Sequence, residues 1–334
     1  MLPELPYEFT AVVTDPPYGL EFMGKEWDAS IPAIWEPLLA CCVPGAHLLA
    51  FGGTRTFHRL VCAIEDAGFE IRDTIMWVYG SGFPKSLDVS KAIDKAAGAE
   101  REVVGFSQQQ QHTPGIGTAA YGDYNGQTGN ITAPATEAAQ TWQGYGTALK
   151  PSFEPITVAR KPFKGTVASN CLEHGAGALN VDGCRVGTEG GTRYVGVGTK
   201  SVSAYGDGLN NTPIESIDKG RWPANLIHDG SEEVLGLFPE SSGGAFPRAH
   251  GASGFVTPEE RGIRVELGDE GSAARFFYCA KADKAERGKG NNHPTVKPLA
   301  LMSYLCKLLA SPGFSGVLLD PFMGSGSTLL AASR

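Results

Sequence analysis

The sequence lacks any stretch near the roughly 18 to 20 consecutive apolar residues that a bilayer-crossing helix needs, and its start, MLPELPYEFT, has neither a basic segment nor an apolar core of the export type. A soluble, unexported chain is the expectation. C-x-x-C pairs are missing too: the seven cysteines (41, 42, 62, 171, 184, 279 and 306) are an odd number without paired spacing, which points to a reducing compartment rather than a disulfide framework. Cys171, His174 and Cys184 have no fourth ligand at zinc-finger spacing, so no metal is expected. Positive charge is in deficit, with 28 Lys and Arg against 36 Asp and Glu. That excludes a polybasic nucleic-acid binder and restricts any contact with nucleic acid to local patches. No period of the solenoid kind recurs.

Glycine and proline are abundant instead, 44 and 22 of 334 residues, about a fifth against a usual share near 12%, which predicts many loops. The hydrophobic fraction of 42% is ample for a large α/β core. A β-branched run, Phe9 to Thr14, reads as a strand that stops at Asp15-Pro16-Pro17-Tyr18-Gly19, where two prolines forbid continuation. Ala46 to Phe51 reads as a second strand, followed by Gly52-Gly53. Phe57, Leu60, Val61 and Ile64 then recur at helical spacing between a capping Thr54 and a terminating Gly68. A third strand, Ile71 to Tyr79, completes a layered α/β pattern. Residues 102–149 carry no Lys or Arg, and 105–149 read as a flexible low-complexity insertion. Phe153 to Lys161 restores strand character over 150–164, and 165–275 read as a separate loop-rich lobe. In the last part, 276–334, Leu299, Met302, Cys306 and Leu309 share one helical face. Val317-Leu318-Leu319 is a buried-strand signal leading into Asp320-Pro321-Phe322-Met323-Gly324-Ser325-Gly326-Ser327-Thr328.

A strand, a glycine turn and a helix together expose backbone N–H groups and admit close approach of a ligand. No Lys follows Gly326 as a phosphate loop requires, and no third Gly follows in dinucleotide register. A nucleoside cofactor without phosphates, such as S-adenosylmethionine, remains, although a plain tight turn serves equally well. The Asp15–Tyr18 loop has a sharper chemistry. An exocyclic amine on a nucleobase is a poor nucleophile because its lone pair is delocalised. A carboxylate at Asp15 and a backbone carbonyl at Pro16, both accepting from that amine, localise the lone pair, and the prolines fix the carbonyl. Tyr18 offers a ring on which an extruded base stacks. The plainer alternative is a proline-stiffened turn.

With TDPPYG at 14–19, NNHPTVKP at 291–298 and LDPFMGSGST at 319–328, in that order, the sequence resembles the amino-methylating DNA methyltransferases whose DPPY loop precedes the cofactor loop. FMGKEWD (22–28), SGFPKSLDVSKAIDK (81–95), GRWPANLIHDG (220–230) and FFYCAKADKAERG (276–288) resemble the family's phage and prophage branch. The resemblance implies a Rossmann-like, seven-stranded, mostly parallel doubly wound sheet, incomplete at the C-terminus because the strand that would carry a ribose-binding acid is not in the sequence; a fragment of a longer product is therefore expected. It implies S-adenosylmethionine as cofactor and double-stranded DNA as partner, in a bacterial or phage-infected cytoplasm and compatible with a homodimer. By the resemblance, Asp15, Pro16, Pro17 and Tyr18 hold the target amine. Asp320, Phe322, Gly324, Ser325, Gly326, Ser327 and Thr328 face the cofactor, and His293, Thr295 and Lys297 close its methionine side. Lys281, Lys284, Arg287 and Lys289, with the 165–275 lobe, meet DNA; a solvated helix face is the alternative. Asp at the loop's first position favours adenine N6, with cytosine N4 the alternative. Cytosine C5 chemistry is excluded because no Pro-Cys dipeptide occurs. A truncated, inactive DNA-binding remnant and an enzyme acting on RNA or protein glutamine are the readings from other classes.

Overall fold

The computed structural model describes residues 8–20, 33–82, 86–106, 130–187, 220–242, 270–280, 296–314 and 316–334. Four strands carry the centre: β1 (Phe9–Thr14), β2 (Cys42–Phe51), β3 (Glu70–Val78) and, further along, Phe153–Arg160. Between β3 and that last strand stand β4 (Val103–Phe106) and β5 (Asn130–Thr132), which form a separate two-stranded ladder, so Phe153–Arg160 is β6. β7 (Leu226–His228), β8 (Glu240–Ser242), β9 (Glu270–Ser272), β10 (Tyr278–Cys279) and β11 (Leu318–Leu319) follow. The main sheet has the order β10-β7-β3-β6-β2-β1-β11. Every pairing in it is parallel except those of β6, which runs antiparallel to both β2 and β3. This is the mostly parallel α/β sheet that the sequence implies.

The central strands β1 and β2 are apolar on both faces because helices cover both, as parallel strands require. Val12, Leu48 and Ala50 pack on one side with Trp35 and Leu38 of α1 (Trp35–Cys41) and Leu60 and Ile64 of α2 (Phe57–Asp66). The alternate residues Val13, Leu49 and Phe51 face Leu301, Met302 and Leu305 on the other side. Those three lie on α7 (Leu299–Leu309), a helix buried around most of its circumference rather than along the single face predicted. Helix α2 starts at Phe57, two residues beyond what a Thr54 cap implies; Thr56 occupies the cap without a side-chain bond. Gly68, at φ +101°, turns the chain just past the helix end.

Two stretches differ from the sequence expectation. The second half of 105–149 is ordered: β5 pairs with β4, and α4 (Glu137–Thr141) packs against α3 (Val89–Ala96). The cause is a polar knot on the buried Asp94. Its carboxylate accepts from Arg101 (2.6 Å), the Ala135 N–H (2.9 Å), and the Thr136 N–H and hydroxyl (3.0 and 2.7 Å). Burial opposes the charge, but these bonds hold the carboxyl below its usual range. Asp94→Asn is therefore expected to open 130–149 to limited proteolysis while the main sheet keeps its amide protection. Residues 107–129 lie outside the described ones. The described parts of 165–275 do not stand apart as a lobe either. α5 (Val167–His174) docks on the start of β2, where the Asn170 amide donates to the Pro44 carbonyl (2.9 Å). β7 joins the main sheet beside β3, and Tyr278 of β10 stacks on Tyr304 of α7, ring centres 4.0 Å apart.

Candidate active site

Strands β1 and β11 are parallel neighbours, with Ala11 opposite Leu318 and Val12 opposite Leu319. Their carboxyl ends therefore open side by side, and two loops 300 residues apart in sequence meet there. The buried Thr14 fastens them: its hydroxyl donates to Asp320 Oδ1 at 2.7 Å. Asp320 Oδ1 also accepts the Phe322 N–H (3.0 Å), and Oδ2 accepts from Thr328. Burial raises the Asp320 carboxyl above its ordinary value, opposed by those three bonds. With three acceptor sites used, Asp320 organises the loop, and one lone pair remains for a ligand. Beyond it, Gly324 and Gly326 have φ values of +53° and +82°, and the Gly326 N–H donates to the Met323 carbonyl (2.8 Å). A Cβ on Gly326 would meet nothing within 4 Å among the described residues. The main chain is bare there, with Phe322 half-buried, and the Ser325 and Ser327 hydroxyls lie 3.2 Å apart.

On the β1 side the polar groups form a cluster. Tyr18 donates to Asp15 Oδ1 (2.7 Å), with Glu154 Oε2 a second acceptor at 3.2 Å. The Lys297 ammonium lies 2.8 Å from Asp15 Oδ2, 3.1 Å from Glu154 Oε2 and 3.2 Å from the Tyr18 oxygen. Beneath it lies the Phe51 ring, 4.9 Å to the centre. Burial pushes the Tyr18 phenol well up, and Asp15 and Glu154 add to that. Pro16 is buried, which anchors the loop. Gly53 is bare for a reason: a Cβ there would come within 3.0 Å of Tyr18 Cδ2.

The structure thus brings together Asp15, Pro16, Pro17, Tyr18, Asp320, Phe322, Gly324, Ser325, Gly326, Ser327 and Thr328, with Lys297 from the segment before α7. The buried Lys297 ammonium is engaged by two half-buried carboxylates, Asp15 and Glu154, and by the Tyr18 oxygen. Glu154 is the residue missed. It stands second in the apolar strand FEPITVAR, and a lone acid in an otherwise apolar strand is the signal that could have found it. His293, Thr295, Lys281, Lys284, Arg287 and Lys289 lie outside the described residues. A cavity of about 350 Å³ lined by Pro44, Phe163, Asn170 and His174, among others, sits at the opposite end of the strands, away from this chemistry.

Residues 252–334 match the family model described as DNA methylase, of the N6 and N4 amino-methylating type. Over 159 residues the chain is 24% identical to Type II methyltransferase M.HindIII of Haemophilus influenzae, a match over 47% of this chain and 38% of that protein. The chain thus spans well under half the length of that curated relative. Among solved structures, the M1.HpyAVI–SAM complex is similar at 16% identity and a TM-score of 0.34, covering 98% of this chain and 78% of that one. A DNA modification methylase assigned in Thermus thermophilus is similar at 15% and 0.37, covering 100% and 80%. Both scores are low, and the fold rests on the strand order itself. Segment 252–334 is thus similar to the amino-methylating (N6/N4) DNA methylases.

Proposed function

We propose that this chain holds the catalytic centre of a DNA methyltransferase that moves a methyl group from S-adenosylmethionine to the exocyclic N6 of adenine. The observation that carries the reading is the meeting of the Asp15–Tyr18 loop and the Asp320–Thr328 loop, tied by the Thr14–Asp320 bond. The bare main chain at Gly326 fits a nucleoside cofactor: a ribose or purine can approach it, and Phe322 offers an apolar wall. Phe322, Gly324, Ser325, Gly326, Ser327 and Thr328 would hold that cofactor, with Asp320 supporting the loop and His293 and Thr295 closing the methionine side. When bound, S-adenosylmethionine supplies an electrophilic methyl.

The protein's own part is placement and electrostatics. Asp15 and the Pro16 carbonyl accept from the target amine, drawing its lone pair out of the ring and aiming it at the methyl. Tyr18 flanks the base. In duplex DNA the amine is hidden, so the base must be flipped out at a cost of a few kcal/mol. Lys281, Lys284, Arg287 and Lys289 would meet phosphates, which requires affinity to fall steeply with salt; a flat salt response removes that assignment. Nucleoside mass spectrometry on DNA from cells expressing the full-length protein tests the whole reading. N6-methyladenine is the expected product, N4-methylcytosine would correct the base, and no modified nucleoside would refute the activity.

A further inference from the structure

The carboxylate assigned to the amine is one corner of an ionic triad whose ammonium is buried and whose two carboxylates are half-buried. Lys297 is 8% exposed, and its ammonium has three hydrogens for three partners: Asp15 Oδ2, Glu154 Oε2 and the Tyr18 oxygen. The partners come from separate elements, the loop after β1 and the antiparallel strand β6, while Lys297 precedes α7. Two carboxylates and one ammonium leave one net negative charge. A cluster serving stability alone would balance its charges or be replaced by apolar residues, since buried ions are costly to desolvate. Here a carboxylate is in excess beside the reacting position.

We infer that Lys297 and Glu154 are positioning residues for Asp15: Lys297 pins its Oδ2, while Glu154 shares the same ammonium and leaves the cluster formally negative. This rests on the methyltransferase reading above. As the amine attacks, its C–N bond forms while the methyl's C–S bond breaks, and positive charge passes from sulfur to nitrogen. A proton then leaves nitrogen for water. The surplus negative charge of the triad meets that developing positive charge, and Asp15 Oδ1, which among the described residues accepts from Tyr18 alone, is the oxygen offered to the amine. Tyr18 can release Oδ1 without losing a partner because Glu154 lies 3.2 Å away as an alternative acceptor.

Burial alone would push the Lys297 ammonium down, but Asp15 and Glu154 together hold it above its ordinary value, so it stays charged. The other titratable groups facing the triad among the described residues are Tyr18, Tyr79 and Asp320. Burial pushes the Tyr79 phenol up to about 12, and Tyr18 well up, so both stay neutral. Asp320 is engaged by Thr14 and Thr328.

The test is the pH profile of kcat together with carbon-detected titration of the side-chain carboxyls in the ligand-free, full-length protein. Lys297→Gln leaves two carboxylates facing each other, so they retain a proton to higher pH, and the acid limb is expected to move up by about 1 to 3 pH units. Glu154→Gln removes the competing carboxylate and is expected to move it down, with kcat lowered because the ammonium now neutralises Asp15. The double variant Glu154→Gln/Lys297→Gln, which removes both charges, should bring the limb back towards the wild type. A fall in kcat equal at every pH, with both carboxyl titrations unmoved in the two single variants, would reduce the triad to a structural ion pair and overturn the inference. A wild-type protein that transfers no methyl would instead remove the methyltransferase reading itself.

Discussion

Replacing Asp15 with Ala is expected to abolish methyl transfer while leaving cofactor affinity within a modest factor. The loss should be on the order of 2.7 to 4 kcal/mol, that of one preorganised polar partner in other active sites, or about a hundredfold or more in kcat. The separation of effects follows from the geometry. Asp15 touches Tyr18 and Lys297, whereas the cofactor loop is organised by Asp320 through Thr14, Thr328 and the Phe322 N–H. Steady-state transfer of a labelled methyl group gives kcat, and calorimetry on the same sample gives affinity. Wild-type turnover in Asp15→Ala would remove Asp15 from the mechanism.

The second large effect is expected at Gly326, this time on binding. With φ at +82°, the position suits glycine, and a side chain with a Cβ is strained there by roughly 1 to 2 kcal/mol. Gly326→Ala should therefore lose cofactor affinity in part, by strain. Gly326→Val should lose it outright, since its branched side chain also fills the space above the main chain where none of the described residues stands within 4 Å. The fold should survive, because no core contact is touched. Unchanged calorimetric affinity in Gly326→Val would make the loop a plain strand-to-helix turn.

Much of the central sheet was legible because its cues are local. The run FTAVVT and the halting prolines define β1 to the residue, and FEPITVAR has the β-branched character that β6 shows. Both glycine- and proline-bearing loops were found for the same reason: in each, backbone breakers follow directly on an apolar strand signal. What escaped depends on distance. Nothing near Glu154 in sequence says that a strand running against its neighbours carries it to Lys297, 143 positions later. Order in 130–149 was equally hidden, since Asp94 and Thr136 meet only once α3 and α4 pack. The helix α7 looked one-sided because its spacing shows a single stripe, whereas the structure covers it from several directions. Thr54 looked like a cap because Thr caps helices often, yet Thr56 sits nearer the first helical turn.

The claim on which the chemistry depends is that one cavity receives both the cofactor's methyl and the target amine. The structure of the full-length protein with S-adenosylhomocysteine bound tests it most directly. The nucleoside should lie along Phe322 to Thr328 with its sulfur turned towards Asp15, leaving room for a reacting nitrogen roughly 3 to 3.5 Å from the transferred methyl. A cofactor seated elsewhere, or a sulfur facing away from Asp15 and Tyr18, would contradict it.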